Sequence, residues 1–353
     1  MRRLGRRASA AQDSERGAIS VLVAILMVAL LGFAALAVDV GMLYAERTQL
    51  RNGSDAAAIA VAQKCAKDVN DVECSAGSPL ARSLTSSNAG DGLSNVASLA
   101  LDKTARTVTV TAGSQEAGKS PNQVSLFFAR ALGINTTEVT AASTVQWGGP
   151  VAGPTVFPVT FSICQVKNHV DGTLQLLQNH GSNANPDCLY GPSGAAVEGG
   201  FGWLPNDPGI CGALIDLAVA EGGSDPGNSA PGSCQATLAT WAADITAGRD
   251  VVVFLPVFDR VSGTGAGAVY GLISFAAFKV AGWSFSGNNS LPDSFHNKSP
   301  DVSSSVACDG NCRGIIGSFI KYVSLANGFT LGPVDENGAT ICLLYTSPSP
   351  RDS

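Results

Sequence analysis

Charge is scarce in this sequence: 14% of its 353 residues are Asp, Glu, Lys or Arg, and histidine occurs three times. His169, His180 and His296 stand alone, at neither helical nor knuckle spacing, so a histidine-based zinc site and the His-Glu-x-x-His peptidase motif are excluded. A Gly-x-Ser-x-Gly nucleophile elbow is also missing. Asp259 and Asp293 are the nearest thing to an acid pair, and nothing in their spacing joins them. No catalytic constellation survives, and the chain is expected to be no enzyme and to need no cofactor.

Apolar residues are abundant instead, at 45%, together with 40 glycines. Much of the apolarity lies in one run, GAISVLVAILMVALLGFAALAV, bounded by Arg16 and Asp39 and interrupted only by Ser20. About 20 such residues make a helix about 30 Å long, the thickness of a bilayer's hydrocarbon core. A signal-peptide core is shorter, and a buried helix of a soluble protein keeps a polar face that this run lacks. A transmembrane helix over residues 17–38 is therefore expected. Arg2, Arg3, Arg6, Arg7 and Arg16 precede it, whereas the following flank mixes Asp39, Glu46, Arg47, Arg51, Asp55 and Lys64. That asymmetry puts a basic arm, residues 1–16, in the cytoplasm at the anionic membrane surface, and the rest outside the cell membrane. The whole chain carries a net charge of −6, and with the arginines set apart its outer part is more acidic still. Nucleic acid is not an expected partner.

Beyond the span, Leu36, Val40, Leu43, Leu50, Ala57 and Val61 continue a narrow helical stripe, which predicts a protruding stalk over residues 39–75. Asn52-Gly53-Ser54-Asp55 reads as a kink or an end, with Ser54 or Asp55 capping a second helix. Three segments match the N-terminal part of a known group in order: Glu15-Arg-Gly-Ala-Ile-Ser, Ala37-Val-Asp39-Val-Gly41-Met-Leu-Tyr44, and Leu50-Arg-Asn-Gly-Ser-Asp55-Ala-Ala-Ala. In these the chain resembles TadE/TadG-like proteins of Flp (tight-adherence) pilus assembly, over about Glu15 to Gln63. The resemblance implies a membrane-anchored accessory protein whose partners are the cytoplasmic membrane and other pilus-assembly membrane proteins, with Arg16, Asp39 and Gly41 marking the membrane boundary. Two departures bound it. Leu22 stands where processed prepilins carry glutamate, and no Asp-x-Ser-x-Ser run opens an adhesive metal site. A membrane-tethered binding or adhesion protein unrelated to pili is the alternative.

The remainder reads as β-rich, giving an α+β chain overall. Asn95–Leu101 and Arg106–Ala112 alternate around Asp102-Lys103 as a hairpin, Val124–Leu132 reads as a short amphipathic helix, and residues 137–146 as a strand. Together they make a β-β-α-β module over residues 80–148. A Gly/Pro linker, residues 148–154, separates it from a second β-rich region, residues 155–341, with strands at 156–163, 250–258 and 269–283, an apolar run at 313–325, and loops over 181–234. Residues 342–353 resemble a translated sequencing adapter and are set aside, which leaves the true C-terminus missing. Eight cysteines then remain for disulfides outside the cytoplasm, and proximity favours Cys65 with Cys74, Cys164 with Cys188, Cys211 with Cys234 and Cys308 with Cys312. Two nucleotide-like motifs carry no nucleotide. Gly113–Ser120 has P-loop spacing, but Pro121 pushes Ser120 out of helical angles, and Gly263–Ala268 lacks the helix a dinucleotide fingerprint needs.

Overall fold

A computed structural model describes residues 9–167, 169–178, 184–185, 187–198, 201–219, 221–225, 229–288, 290–324, 328–335 and 338–346. A single helix, α1 (Ser9–Lys67), runs unbroken through the apolar span and the predicted kink. Its N-terminal half leaves the apolar side chains from Ile19 to Val38 exposed, and is long and apolar enough to cross a membrane. From Asp39 onward one stripe becomes buried: Leu50, Gly53, Ser54, Ala57, Ala58, Val61, Ala62 and Cys65 recur at three and four residue steps. The extension of the span is thus a helix docked along its length on the rest of the chain. Asn52-Gly53 does not end it, because Gly53 is where α2 (Pro79–Ser87) crosses: a Cβ there would press on Thr85 at 3.1 Å. Ser78 caps α2 by accepting from the Ala81 amide at 3.2 Å, with Pro79 in the first turn.

The docking surface is a sheet. Strands β1 (Ser94–Asp102) and β2 (Thr107–Ser114) form the hairpin, and β2 pairs with β5 (Thr140–Thr155). The other edge of β5 pairs with a strand at Thr340–Thr346, from Ile341 opposite Gly148 to Thr346 opposite Ser143. Alternation sorts this last strand. Cys342 and Leu344 face α1, joining Val108, Val110, Val145 and Trp147 beneath the alanines, while Ile341 and Leu343 face the second sheet. The boundary set at residue 342 therefore falls inside a paired strand, which the β-favouring Ile341 and Tyr345 help to form. Residues 347–353 lie outside the described residues.

Residues 148–154 form no linker. They are the second half of β5, pairing with Thr330–Gly332 and with Ala213–Asp216. Glycine here marks close approach: a Cβ at Gly148 would collide with the Gly332 carbonyl, and one at Gly153 with the Phe329 ring. The second sheet places Val159–Ser162 beside the long hairpin Val251–Ser262 and Val269–Ser284, then Gly314–Ile320 and Gln175–Gln178. Phe254, Phe275 and Ala277 on one face meet Ile341 of the first sheet. Its other face builds an aromatic core with Phe161, Phe201, Trp203, Phe278, Trp283 and Phe319, closed by a helix at Gln235–Thr246. A loop-like Gly/Pro stretch before it conceals that helix in the sequence, although Leu238, Trp241, Ala242 and Ile245 carry its period.

Disulfides join Cys65 to Cys74, Cys164 to Cys188, Cys211 to Cys234 and Cys308 to Cys312. The first pins the end of α1 to the turn before α2, and the third ties a loop to the start of the helix at Gln235–Thr246. Cys342 is the free cysteine, and burial pushes its thiol up to about 11. Thiol titration at pH 8 should accordingly find no reactive group in the native chain, one after denaturation without reductant, and all nine after reduction. More than one thiol in the denatured, unreduced chain would break this bonding pattern.

Candidate functional site at the membrane boundary

Asp39 follows the last apolar residue of the span and is 4% exposed, in contrast to the side chains around it. Its carboxylate holds a loop from the far side of the sequence. Oδ1 accepts from the Phe127 amide at 2.9 Å, both oxygens from Phe128 at 3.2 and 3.0 Å, and Oδ2 from Ala129 at 2.7 Å. Those three donors begin a short 3₁₀ turn, Ala129–Leu132, so Asp39 caps it from another element. The helix expected over Val124–Leu132 is for this reason absent: residues 123–125 pair as β3 with β4 (Thr136–Glu138), the Leu126 amide donates to the Asn135 carbonyl, and Asp39 takes the next three donors.

Two more contacts clamp α1 higher up. Ser143 on β5 donates to the Asp55 carboxylate, and Ser54 Oγ lies 2.7 Å from Ser143 Oγ. Ser54 and Asp55 thus serve as cross-element anchors in mid-helix. Above them Ala57, Ala58, Val61 and Ala62 bring the helix close to the sheet, since small side chains let backbones approach.

Every one of these anchors on α1 lies inside one recognisable segment. Residues 17–64 match the family of putative Flp pilus-assembly TadE/G-like proteins. No curated protein and no solved structure matches the chain. The matched segment is therefore the part of α1 that is long and apolar enough to cross a membrane and then docks on the sheet, its Asp39 holding the loop at Phe127–Ala129 and its Ser54 and Asp55 both meeting Ser143.

Of the boundary residues read from the sequence, Asp39 has its partners within the fold. A methyl group added at Gly41 would meet nothing within 4 Å, so this glycine lies open on the helix surface. Arg16 sits in α1, and its side chain lies outside the described residues, as do residues 1–8 of the basic arm and His180. His296 stacks on Phe295 at 3.8 Å, and the Gly113–Ser120 segment turns through Gly118 at positive φ into β3. There Glu116 grips Ser125, accepting from its amide at 2.7 Å and its hydroxyl at 2.6 Å. Among the described residues, no three His, Cys, Asp or Glu side chains gather as a metal site would require.

Carboxylates serving as caps set the acid response. Hydrogen bonds from Ser78 and the Leu80 amide hold Glu73 below the ordinary range, and those from the Ser125 hydroxyl and amide do so for Glu116. Burial alone would raise Asp39, yet its three amide donors and Arg130 outweigh it and the net direction is downward. Asp171 is lowered by the Thr173 amide and hydroxyl. Glu46 moves the other way, raised by burial and by Asp91 and Glu116, as does Asp259 through burial. A depressed carboxylate stabilises the fold above its unfolded pKa and loses that contribution as pH falls through the folded value, while a raised one is relieved by protonation. The urea midpoint should hold or rise slightly from pH 7 to pH 5 and fall below about pH 4, the ordinary carboxylate range. A steady decline beginning at neutral pH would contradict this assignment.

Proposed function

We propose that this chain is a membrane-anchored, non-enzymatic accessory protein in Flp/Tad pilus assembly or anchoring. The observation that carries the reading is the TadE/G-like match over residues 17–64, the segment that both spans and docks. In this reading the N-terminal arm is cytoplasmic and the two-sheet body extracytoplasmic, which the arginine asymmetry and the four disulfides support. Partners are other pilus-assembly membrane proteins, met by the exposed span and by Gly41. The non-enzymatic part draws support from how the carboxylates are used: Asp39, Asp55, Glu73 and Glu116 hold backbone or hydroxyl donors within the fold.

Deletion of the gene, scored by electron microscopy of surface Flp filaments, tests the role, and alkaline phosphatase fused after residue 346 tests the sidedness. Lost filaments restored by complementation, with an active reporter, are expected. Normal piliation in the deletion strain would favour a tethered adhesion protein instead, and an inactive reporter would reverse the topology.

A further inference from the structure

The loop that Asp39 caps presents an unusual surface. Phe127 is 61% exposed, Leu132 75% and Ile134 54%, with Phe128 also outward. Four large apolar side chains on nine residues would be costly in water. They do not stand far from other apolar surface, however, because the loop is hydrogen-bonded to the first residue beyond the span, where Leu36, Val38 and Val40 are exposed as well. The apolar run from Ile19 to Val38 makes about 30 Å of helix, matching the hydrocarbon core. Asp39 then stands at the edge of that core. Its Cβ leans toward the helix N-terminus, as in any helix, so the carboxylate reaches back toward the bilayer and carries the loop with it.

We propose that residues 126–134 form a second membrane contact, inserting Phe127, Phe128, Leu132 and Ile134 into the leaflet at the C-terminal end of the span, with Asp39 setting their depth. The carboxylate solves the problem that insertion creates. Unpaired amides are expensive in a water-poor interface, and the three at Phe127, Phe128 and Ala129 are satisfied inside the protein before any lipid is met. Arg130 adds the polar half of an interfacial segment: its guanidinium lies 5.2 Å from the Phe127 ring centroid, over the aromatic and within reach of headgroup phosphates. Lipid is the occupant that continuity favours, because the patch extends a surface already committed to the bilayer.

The inference rests on α1 crossing the membrane, and the test separates the two. Full-length protein is reconstituted in phosphatidylcholine/phosphatidylglycerol vesicles whose acyl chains carry bromine near the glycerol end. Flotation with the vesicles reports the span. Phe127→Trp and Leu132→Trp report the loop, against Leu214→Trp, equally exposed but opposite Pro154 at the far end of β5. The expected result is loss of emission at 127 and 132 beyond the wild-type tryptophan background, with position 214 unquenched. Adding Asp39→Ala should restore emission at 127 while the chain still floats. Floating protein whose 127 and 132 emission is quenched no more than that of 214 overturns the proposal, whether the patch faces water, a second copy or another protein. Quenching unchanged by Asp39→Ala overturns the role given to Asp39. Circular dichroism of each variant confirms that the fold is retained.

Discussion

Ala62→Arg should destabilise the body of the protein by about 4 kcal/mol or more while leaving the chain in the membrane. Ala62 is 0% exposed, packed with Ala58 and Val61 over Val108, Val145 and Trp147. An arginine there meets two penalties that add. Its volume overfills a closely packed layer, about 1 to 3 kcal/mol, and its charge is buried without a partner, the class of change behind the largest single-residue effects. The apolar span, residues 17–38, lies outside the substituted layer and is untouched. Urea unfolding of the full chain in detergent, followed by circular dichroism, gives the measurement, with Lys67→Ala on the exposed end of α1 expected to stay within about 0.5 kcal/mol. A loss of less than about 1 kcal/mol for Ala62→Arg would mean that α1 does not lie on the sheet.

Phe161→Ala should lower stability by about 3 to 5 kcal/mol, the range for emptying a buried aromatic site. Its ring is fully buried and meets Phe278 at 5.2 Å, Phe319 at 5.3 Å and Phe201 at 6.4 Å between centroids. No nearby chain end can collapse into the space, since Phe161 pairs with Phe201 on one side and Val257 on the other. Ala62 lies in α1 over the first sheet and Phe161 within the second, and their comparison is informative. β5 contributes to the face under α1 and also carries the strands that pack on the second sheet, so both variants should shift one common transition. Two separate transitions, each moved by one variant, would restore a division of the body near residues 148–155.

Much of the architecture can be read from residue pattern alone. The span, the hairpin at 94–114 and the long strands at 251–262 and 269–284 announce themselves through period and length, because a single burial environment acts along each. The failures share a different cause. Gly148, Gly149 and Gly153 resemble a linker when counted as composition, yet they are glycines because neighbouring backbone and rings leave no room for a side chain. Ser54 and Asp55 resemble helix caps, but their partner is Ser143, 88 residues beyond Asp55. The loop at 126–134 resembles an amphipathic helix whose apolar face should be buried, and a distant carboxylate takes the donors that such a helix would need. Asp39 itself is legible as a boundary from its place after the apolar run. What it binds is not, since nothing local in Phe127-Phe128-Ala129 points back across the chain.

An unbroken rod of 59 residues, about 90 Å at helical rise, runs through the apolar span and on past it for about 40 Å to the disulfide at Cys65. Asp39, Asp55 and Cys65 fasten it at three heights, leaving no joint between lipid and sheet. A lateral force on the two-sheet body is consequently delivered to the bilayer as leverage, tilting the apolar half of the rod against its lipids, and a neighbour gripping that half can steer the body in return.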